Sequence, residues 1–117
     1  MGFKFENLQV WQKALDLTEE INLLTKKSFP KDELFILTSQ IKRAADSVVL
    51  NIAEDCTGQT NPVFKNFLGY SLRSAIEVVS CLFIAKKRGI ISNDDFQKLY
   101  NEYQGLSKMI TSLRNTL

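Results

Sequence analysis

Four apolar seams, each spaced by steps of three and four residues and separated by short breaker segments, restrict what this chain can fold into more than any other feature. Side chains three and four positions apart lie above one another on an α-helix, whereas a half-buried strand needs a period of two. The first seam runs Val10, Ala14, Leu17, Ile21 and Leu24, widened by Trp11 and Leu15. The second, after Ser28-Phe29-Pro30, runs Leu34, Leu37, Ile41, Ala45, Val48 and Ile52, with Asp32 and Glu33 in the first turn, where the helix dipole favours negative charge. The third is Phe64, Leu68, Ser71, Ala75, Val78, Leu82 and Ala85, opened by Asn61 as N-cap candidate and Pro62 as the residue best tolerated at a helix start. It closes with Lys86, Lys87 and Arg88 at the negative end of the dipole, then Gly89, which can take the left-handed cap conformation. Ser92-Asn93-Asp94-Asp95, a variant capping box, opens the fourth seam of Phe96, Leu99, Tyr103, Leu106, Ile110, Leu113 and Leu117.

The spacing predicts helices over about 8–27, 32–56, 62–88 and 93–115 within a single domain of 117 residues. Connections of about three to six residues make consecutive helices antiparallel neighbours. The expected fold class is therefore all-α, an up-down-up-down antiparallel four-helix bundle. Isolated helices of this length are marginal in water, so the seams must bury one another.

The residue inventory closes several function classes. The chain has no histidine, so Ser-His and Cys-His nucleophile pairs and the Glu-x-x-His ligands of di-iron bundles cannot be built. Its only cysteines, Cys56 and Cys81, are too few for a four-ligand zinc site and read as reduced, buried residues. The five glycines are isolated, so there is no phosphate-cradling loop. Glu54 and Asp55 are adjacent and point about 100° apart on a helix, a poor start for a carboxylate pair. No enzyme activity, no metal and no cofactor are expected. The longest apolar runs, around Val78 to Ala85, fall well short of the roughly 20 residues of a membrane span. Met1 to Trp11 lacks the apolar stretch of a secretory signal. A cytoplasmic protein without membrane association is the expectation.

The third helix carries too much apolar surface for one bundle. From Ser74 to Ala85 its one charge is Glu77, while apolar side chains point in nearly every direction. A helix apolar all round is buried all round, so a second subunit is expected to cover the side that a lone bundle leaves to water. Ile76, Val79 and Phe83 are the expected oligomer interface. The competing reading is a single core made wide by thick packing.

Thr38 to Asp55 carries a different signal. Gln40, Arg43, Ser47, Asn51 and Glu54 fall within a sector of roughly 80°, away from the Ile41, Ala45, Val48 and Ile52 face. If the second and third helices form an antiparallel hairpin about residue 59, Glu54 comes level with Lys65, Asp46 with Arg73 and Arg43 with Glu77. Opposite charges meet at each level, which favours structural pairing. A ligand or partner surface is the alternative, and exposed pairs contribute only about 0–1 kcal/mol each.

Leu8 to Leu17 (LQVWQKALDL), Phe29 to Val48 (FPKDELFILTSQIKRAADSV), Asn51 to Glu54 (NIAE) and Phe67 to Val78 (FLGYSLRSAIEV) occur in order along almost the whole chain. In these segments it resembles the small bacterial four-helix-bundle proteins encoded in intervening sequences of 23S rRNA genes, the S23-type ribosomal insertions. The resemblance implies a homopentamer. It also implies kinship with the accessory proteins of diversity-generating retroelements, which associate with a reverse transcriptase and with nucleic acid. Against the usual SIPxNIAEG pattern of that family, Val49 stands in place of proline and Asp55 in place of glycine. Without that proline the second helix should lose its kink, and without that glycine its exit should shift towards Gly58.

In the expected topology the first and third helices end at one pole. Lys26, Lys27 and Lys31 then gather with Lys86, Lys87 and Arg88, while Asp32, Glu33, Asp94 and Asp95 share the pole and leave an excess of two positive charges. A fivefold ring would multiply that excess around its axis, and clustered cations bind phosphate by releasing counterions. The six cations are the candidate nucleic-acid contacts, with ordinary helix-end charges as the competing reading. Trp11, Phe3 and Phe5 could stack bases, but Trp11 lies beside the first seam and reads as core. The leading expectation is a non-enzymatic homo-oligomeric module contacting RNA or a nucleic-acid-associated protein. A purely structural assembly or protein adaptor is the second.

Overall fold

In a computed structural model that describes residues 2–54 and 60–117, the four seams meet in one buried cluster running from Val10 to Ile110. The described residues form α1 (Gln9–Ser28), α2 (Ser39–Ala53), α3 (Asn61–Lys87) and α4 (Asn93–Asn115), and contain no strand. A 3-10 turn at Lys4–Asn7 leads into α1, and a second at Lys31–Glu33 precedes a π-helical turn at Leu34–Thr38 that runs into α2. Each helix packs on two others: α1 on α2 and α4, α3 on α2 and α4.

Helix ends follow local chemistry. Gly89, at φ 72°, takes the left-handed conformation after α3. Its N–H donates to the Lys86 carbonyl at 3.0 Å, and the Ile90 N–H donates to Ala85 at 2.8 Å. That is a Schellman cap, which satisfies carbonyls the last turn would orphan. At α4 the Ser92 hydroxyl oxygen accepts from the Asp95 N–H at 3.1 Å. Thr60, not Asn61, is the N-cap of α3, so Pro62 occupies the second helical position.

The contact between α2 and α3 is made by small side chains. Ser71 is fully buried there, and Ala44, beside Ser47 and Ser74, is buried as well. The fully buried Ser71 hydroxyl donates to the Val48 carbonyl at 2.8 Å, and the Ser74 hydroxyl donates to the Ser47 hydroxyl oxygen at 2.8 Å. A serine hydroxyl extends one bond past Cβ, so reaching a backbone carbonyl across the interface requires the two helices to lie close. Between α1 and α4, Lys27 pairs with Asp95 at 3.0 Å, Lys98 with Glu20 at 3.1 Å, and Lys13 with Glu102.

The structure corrects several expectations. The span expected to start a helix at residue 32 opens instead with the 3-10 and π turns. A π turn closes i→i+5 bonds, so the three-and-four count fails across it. Leu34 accordingly swings off the seam and is 50% exposed, while Leu37 is buried. Leu15, expected to widen the first seam, is 44% exposed. The Asp46–Arg73 pair is absent: Asp46 accepts from the Thr18 hydroxyl on α1 at 2.7 Å, and Arg73 lies over the Tyr70 ring. No ion pair joins Arg43 to Glu77 among the described residues. Val49 is buried in an α2 that runs unbroken to Ala53. The expectations placed on Asp55, Cys56 and Gly58 lie outside the described residues.

By length and composition α3 is long and apolar enough to cross a membrane, against the expectation drawn from unbroken runs alone. Core helices meet the same criterion. Here one face of α3, from Phe64 to Ala85, is packed into the core, while Arg73 and Glu77 lie on its outer side.

Two substitutions test this packing by urea denaturation. Ser71→Ala should lower the unfolding free energy by about 1 kcal/mol through loss of a buried hydrogen bond, with an unchanged denaturant slope. Tyr103→Phe should leave stability equal or raise it by up to about 1 kcal/mol, because the buried Tyr103 hydroxyl has no hydrogen-bond partner among the described residues.

Candidate interaction surfaces

The six basic residues expected at one pole are all exposed, but half of them are engaged within the chain. Lys27 pairs with Asp95, and Arg88 pairs with Glu33 at 3.0 Å. The Lys86 ammonium sits 4.5 Å from the centre of the Phe96 ring. Each engagement joins the end of one helix to the start of another, as dipole-matched end charges would. Lys26, Lys31 and Lys87 have no such partner among the described residues.

The polar stripe on α2 divides in two. Ser47 and Asn51 serve the packing: the Asn51 amide donates to the Ser47 carbonyl at 2.9 Å and to its hydroxyl oxygen at 3.0 Å. Gln40 and Arg43, with Ser47, instead line a groove of about 560 Å³ between α2 and α3, bounded opposite by Ser74 and Glu77 and at its upper end by Phe35 and Ile36. Glu54 lies exposed at the end of α2, beyond that groove.

The residues expected at an oligomer interface do come together. Ile76, Val79 and Phe83 line one groove of about 260 Å³ between α3 and α4, with Tyr100, Gln104 and Ser107 on its far wall. Ile76 is 65% exposed and Phe83 is 52% exposed. Phe83 is braced edge-on by Phe96 at 4.8 Å and Tyr100 at 6.0 Å, so this apolar wall is held rigidly. A shallow hollow bounded by Phe83, Ile84, Lys86 and Lys87 continues it towards the basic pole.

Phe35 and Ile36, which belong to none of the four seams, are the most exposed apolar side chains of the π turn, at 89% and 61%. A signal was available: Leu34 to Leu37 is four large apolar residues in a row, more than one helical seam can bury. At the N-terminus Phe5 packs on Trp11, with ring centres 4.7 Å apart, and Phe3 stacks outside Phe5. Trp11 itself is half-buried against the core.

Two buried groups hold their protons tightly. Burial, with a smaller contribution from Glu77, pushes the Cys81 thiol up to about 11. Burial also pushes the Tyr103 phenol well above its ordinary value, helped by the negative charges of Glu20 and Asp46. Neither group is poised for proton transfer near neutral pH. Among the described residues no three His, Cys, Asp or Glu side chains gather as metal ligands.

Comparisons with known proteins agree with this architecture. Residues 6–112 match the family model described as 23S rRNA-intervening sequence protein. The structure is also similar to the crystal structure of a protein of unknown function from the S23 ribosomal protein family of Bacteroides thetaiotaomicron. The TM-score is 0.82 at 25% sequence identity, over 90% of this chain and 97% of that one. No curated protein matches the sequence.

The raised thiol and phenol predict alkaline sensitivity. Folded-state values above the unfolded ones give a contribution that is complete below about pH 8.5 and lost as pH rises towards 11 for Cys81 and higher for Tyr103. Unfolding free energy should therefore fall by on the order of 1–3 kcal/mol between pH 8 and pH 11. Cys81→Ala should flatten the lower part of that slope when denaturation is repeated across the range.

Proposed function

Because the chain belongs to the 23S rRNA-intervening sequence protein family, we propose that it acts by contact rather than by catalysis, as a self-assembling module whose basic pole meets RNA. The subunit in this reading is an up-down-up-down antiparallel four-helix bundle. Its support is the order of the pairings: on α1 and α4, Lys13 meets Glu102, Glu20 meets Lys98 and Lys27 meets Asp95, one set of numbers rising as the other falls. The same reversal relates Glu33, Ser47 and Val48 to Arg88, Ser74 and Ser71.

The observation that carries self-assembly is the apolar wall of Ile76, Val79 and Phe83, left open to water beside a closed core. Surfaces of this kind are covered in the working state of a protein. Copies gather in a closed ring, five by the family resemblance, and the module works in the cytoplasm without a cofactor. The lack of histidine and the tightly protonated Cys81 and Tyr103 favour a non-catalytic role.

Contact with RNA rests on Lys26, Lys31 and Lys87, whose charges are not engaged within the described part of the chain and which a ring would repeat around its axis. A second reading, a protein adaptor without nucleic-acid binding, is favoured by the engagement of Lys27, Lys86 and Arg88 with groups of the same chain.

Titration with a structured RNA and with duplex DNA at two salt concentrations separates the two. The RNA reading expects binding at low salt that weakens steeply with added salt. The double variant Lys26→Gln, Lys31→Gln should bind less tightly and with a shallower slope, by roughly 0.7–0.9 for each phosphate it no longer neutralises. Absence of binding at low salt, or indifference to the double variant, leaves the adaptor.

A further inference from the structure

The α2–α3 groove holds one charge of each sign, Arg43 on its α2 wall and Glu77 on its α3 wall. Ser71 meets Val48, Ser74 meets Ser47 and Arg88 meets Glu33, so residue numbers on α3 rise as those leading into α2 fall. Counted along that order, Arg43 and Glu77 come level. Opposite charges level in one groove are the makings of an ion pair. None forms between them, and neither has another ion-pair partner among the described residues.

The wall beside Arg43 offers a further donor. The Ser47 hydroxyl oxygen accepts from the Ser74 hydroxyl at 2.8 Å and from the Asn51 amide at 3.0 Å. Each hydroxyl has one proton to donate, and the bond between the two serines uses one of the pair's two protons whichever way it runs. The other is left for an acceptor. Arg43 stands one helical turn from Ser47, so a guanidinium and a hydroxyl proton serve the same stretch of groove, a setting suited to a carboxylate. Glu77 across from them suits an ammonium. A simple anion would meet Glu77 as a like charge and a simple cation would meet Arg43, so a ligand bearing both signs satisfies the groove best.

Phe35 and Ile36, 89% and 61% exposed, give the upper end of the groove an apolar wall. Ile36 precedes Arg43 by two turns, roughly 10 Å along the axis. An aromatic side chain is long enough to reach it from a head group held at Arg43 and Glu77.

We propose that the α2–α3 groove binds a free aromatic α-amino acid. Its carboxylate lies between Arg43 and the serine pair, its ammonium meets Glu77, and its ring rests on Phe35 and Ile36. A volume of about 560 Å³ has room for such a molecule. The site depends on neither self-assembly nor RNA contact. It lies on the α2 side of α3, whereas the wall of Ile76, Val79 and Phe83 lies on the α4 side.

Titration calorimetry of the full chain tests this with four compounds: L-phenylalanine, phenylpropionate without the ammonium, phenethylamine without the carboxylate, and L-alanine without the ring. Phenylalanine should bind with a Kd of about 1 mM or below, as suits a ligand of its size, and the other three at least about tenfold more weakly. Glu77→Gln should erase the preference for phenylalanine over phenylpropionate, and Arg43→Gln the preference over phenethylamine. Both side chains are exposed, so both variants should keep wild-type helicity by circular dichroism. The comparison of compounds needs wild-type protein alone and decides the matter where a variant unfolds. No binding of phenylalanine at about ten times that Kd overturns the site. So does any of the other three bound as tightly, or folded variants that keep the wild-type preferences.

Discussion

The closeness of α2 and α3 governs much of what this chain presents to its surroundings. Ser71 reaches the Val48 carbonyl, and Ser74 the Ser47 hydroxyl, because small side chains at these positions let the two helices approach. A helix pair packed through small side chains buries little apolar area per residue, so the larger side chains of α3 must find cover elsewhere. Val78 and Leu82 find it in the core. Ile76, Phe83 and Ile84 point away from it and remain at the surface. The tight seam and the open apolar wall are thus two faces of one residue arrangement on α3.

Charge is distributed in a comparable way at the pole where α1 and α3 end. Helix C-termini attract cations and helix N-termini attract carboxylates, so Lys27 meets Asp95 and Arg88 meets Glu33 where an end and a start adjoin. Pairs of this kind are worth little individually, yet each removes a cation from service to an outside ligand. The Lys86 ammonium over the Phe96 ring ties the end of α3 to the first turn of α4 by another route. What remains for a partner is smaller than the count of basic residues suggests, and it depends on how many copies stand side by side.

The seams of α1, α3 and α4 were legible because helical periodicity is a local property, and Gly89 and Ser92 announced their caps for the same reason. The start of α2 was not. A π turn breaks the count on which periodicity depends, and nothing in Leu34 to Thr38 distinguishes it from an ordinary helical turn except an excess of large apolar residues. Charge pairing inferred from level alone failed at Asp46, because level says nothing about rotation: α2 turns Asp46 towards Thr18 on α1. The polar stripe likewise looked like one surface on a helical wheel. Its members divide because Ser74 of α3 meets Ser47, to which Asn51 also donates, while Gln40 and Arg43 line the open groove beside that contact.

By itself the sequence determined that the chain is helical, where most of its helices begin and end, most of the side chains that enter the core, and that histidine-based chemistry is closed to it. These follow from spacing, caps and inventory, all of them properties of neighbours along the chain. Only the tertiary structure decided that Ile76, Val79 and Phe83 share a groove with Tyr100, that Phe35 stands clear of the surface, and which cations are already engaged. Each of those depends on the rotation of one helix against another, and that rotation is set by the sum of contacts between segments far apart in sequence.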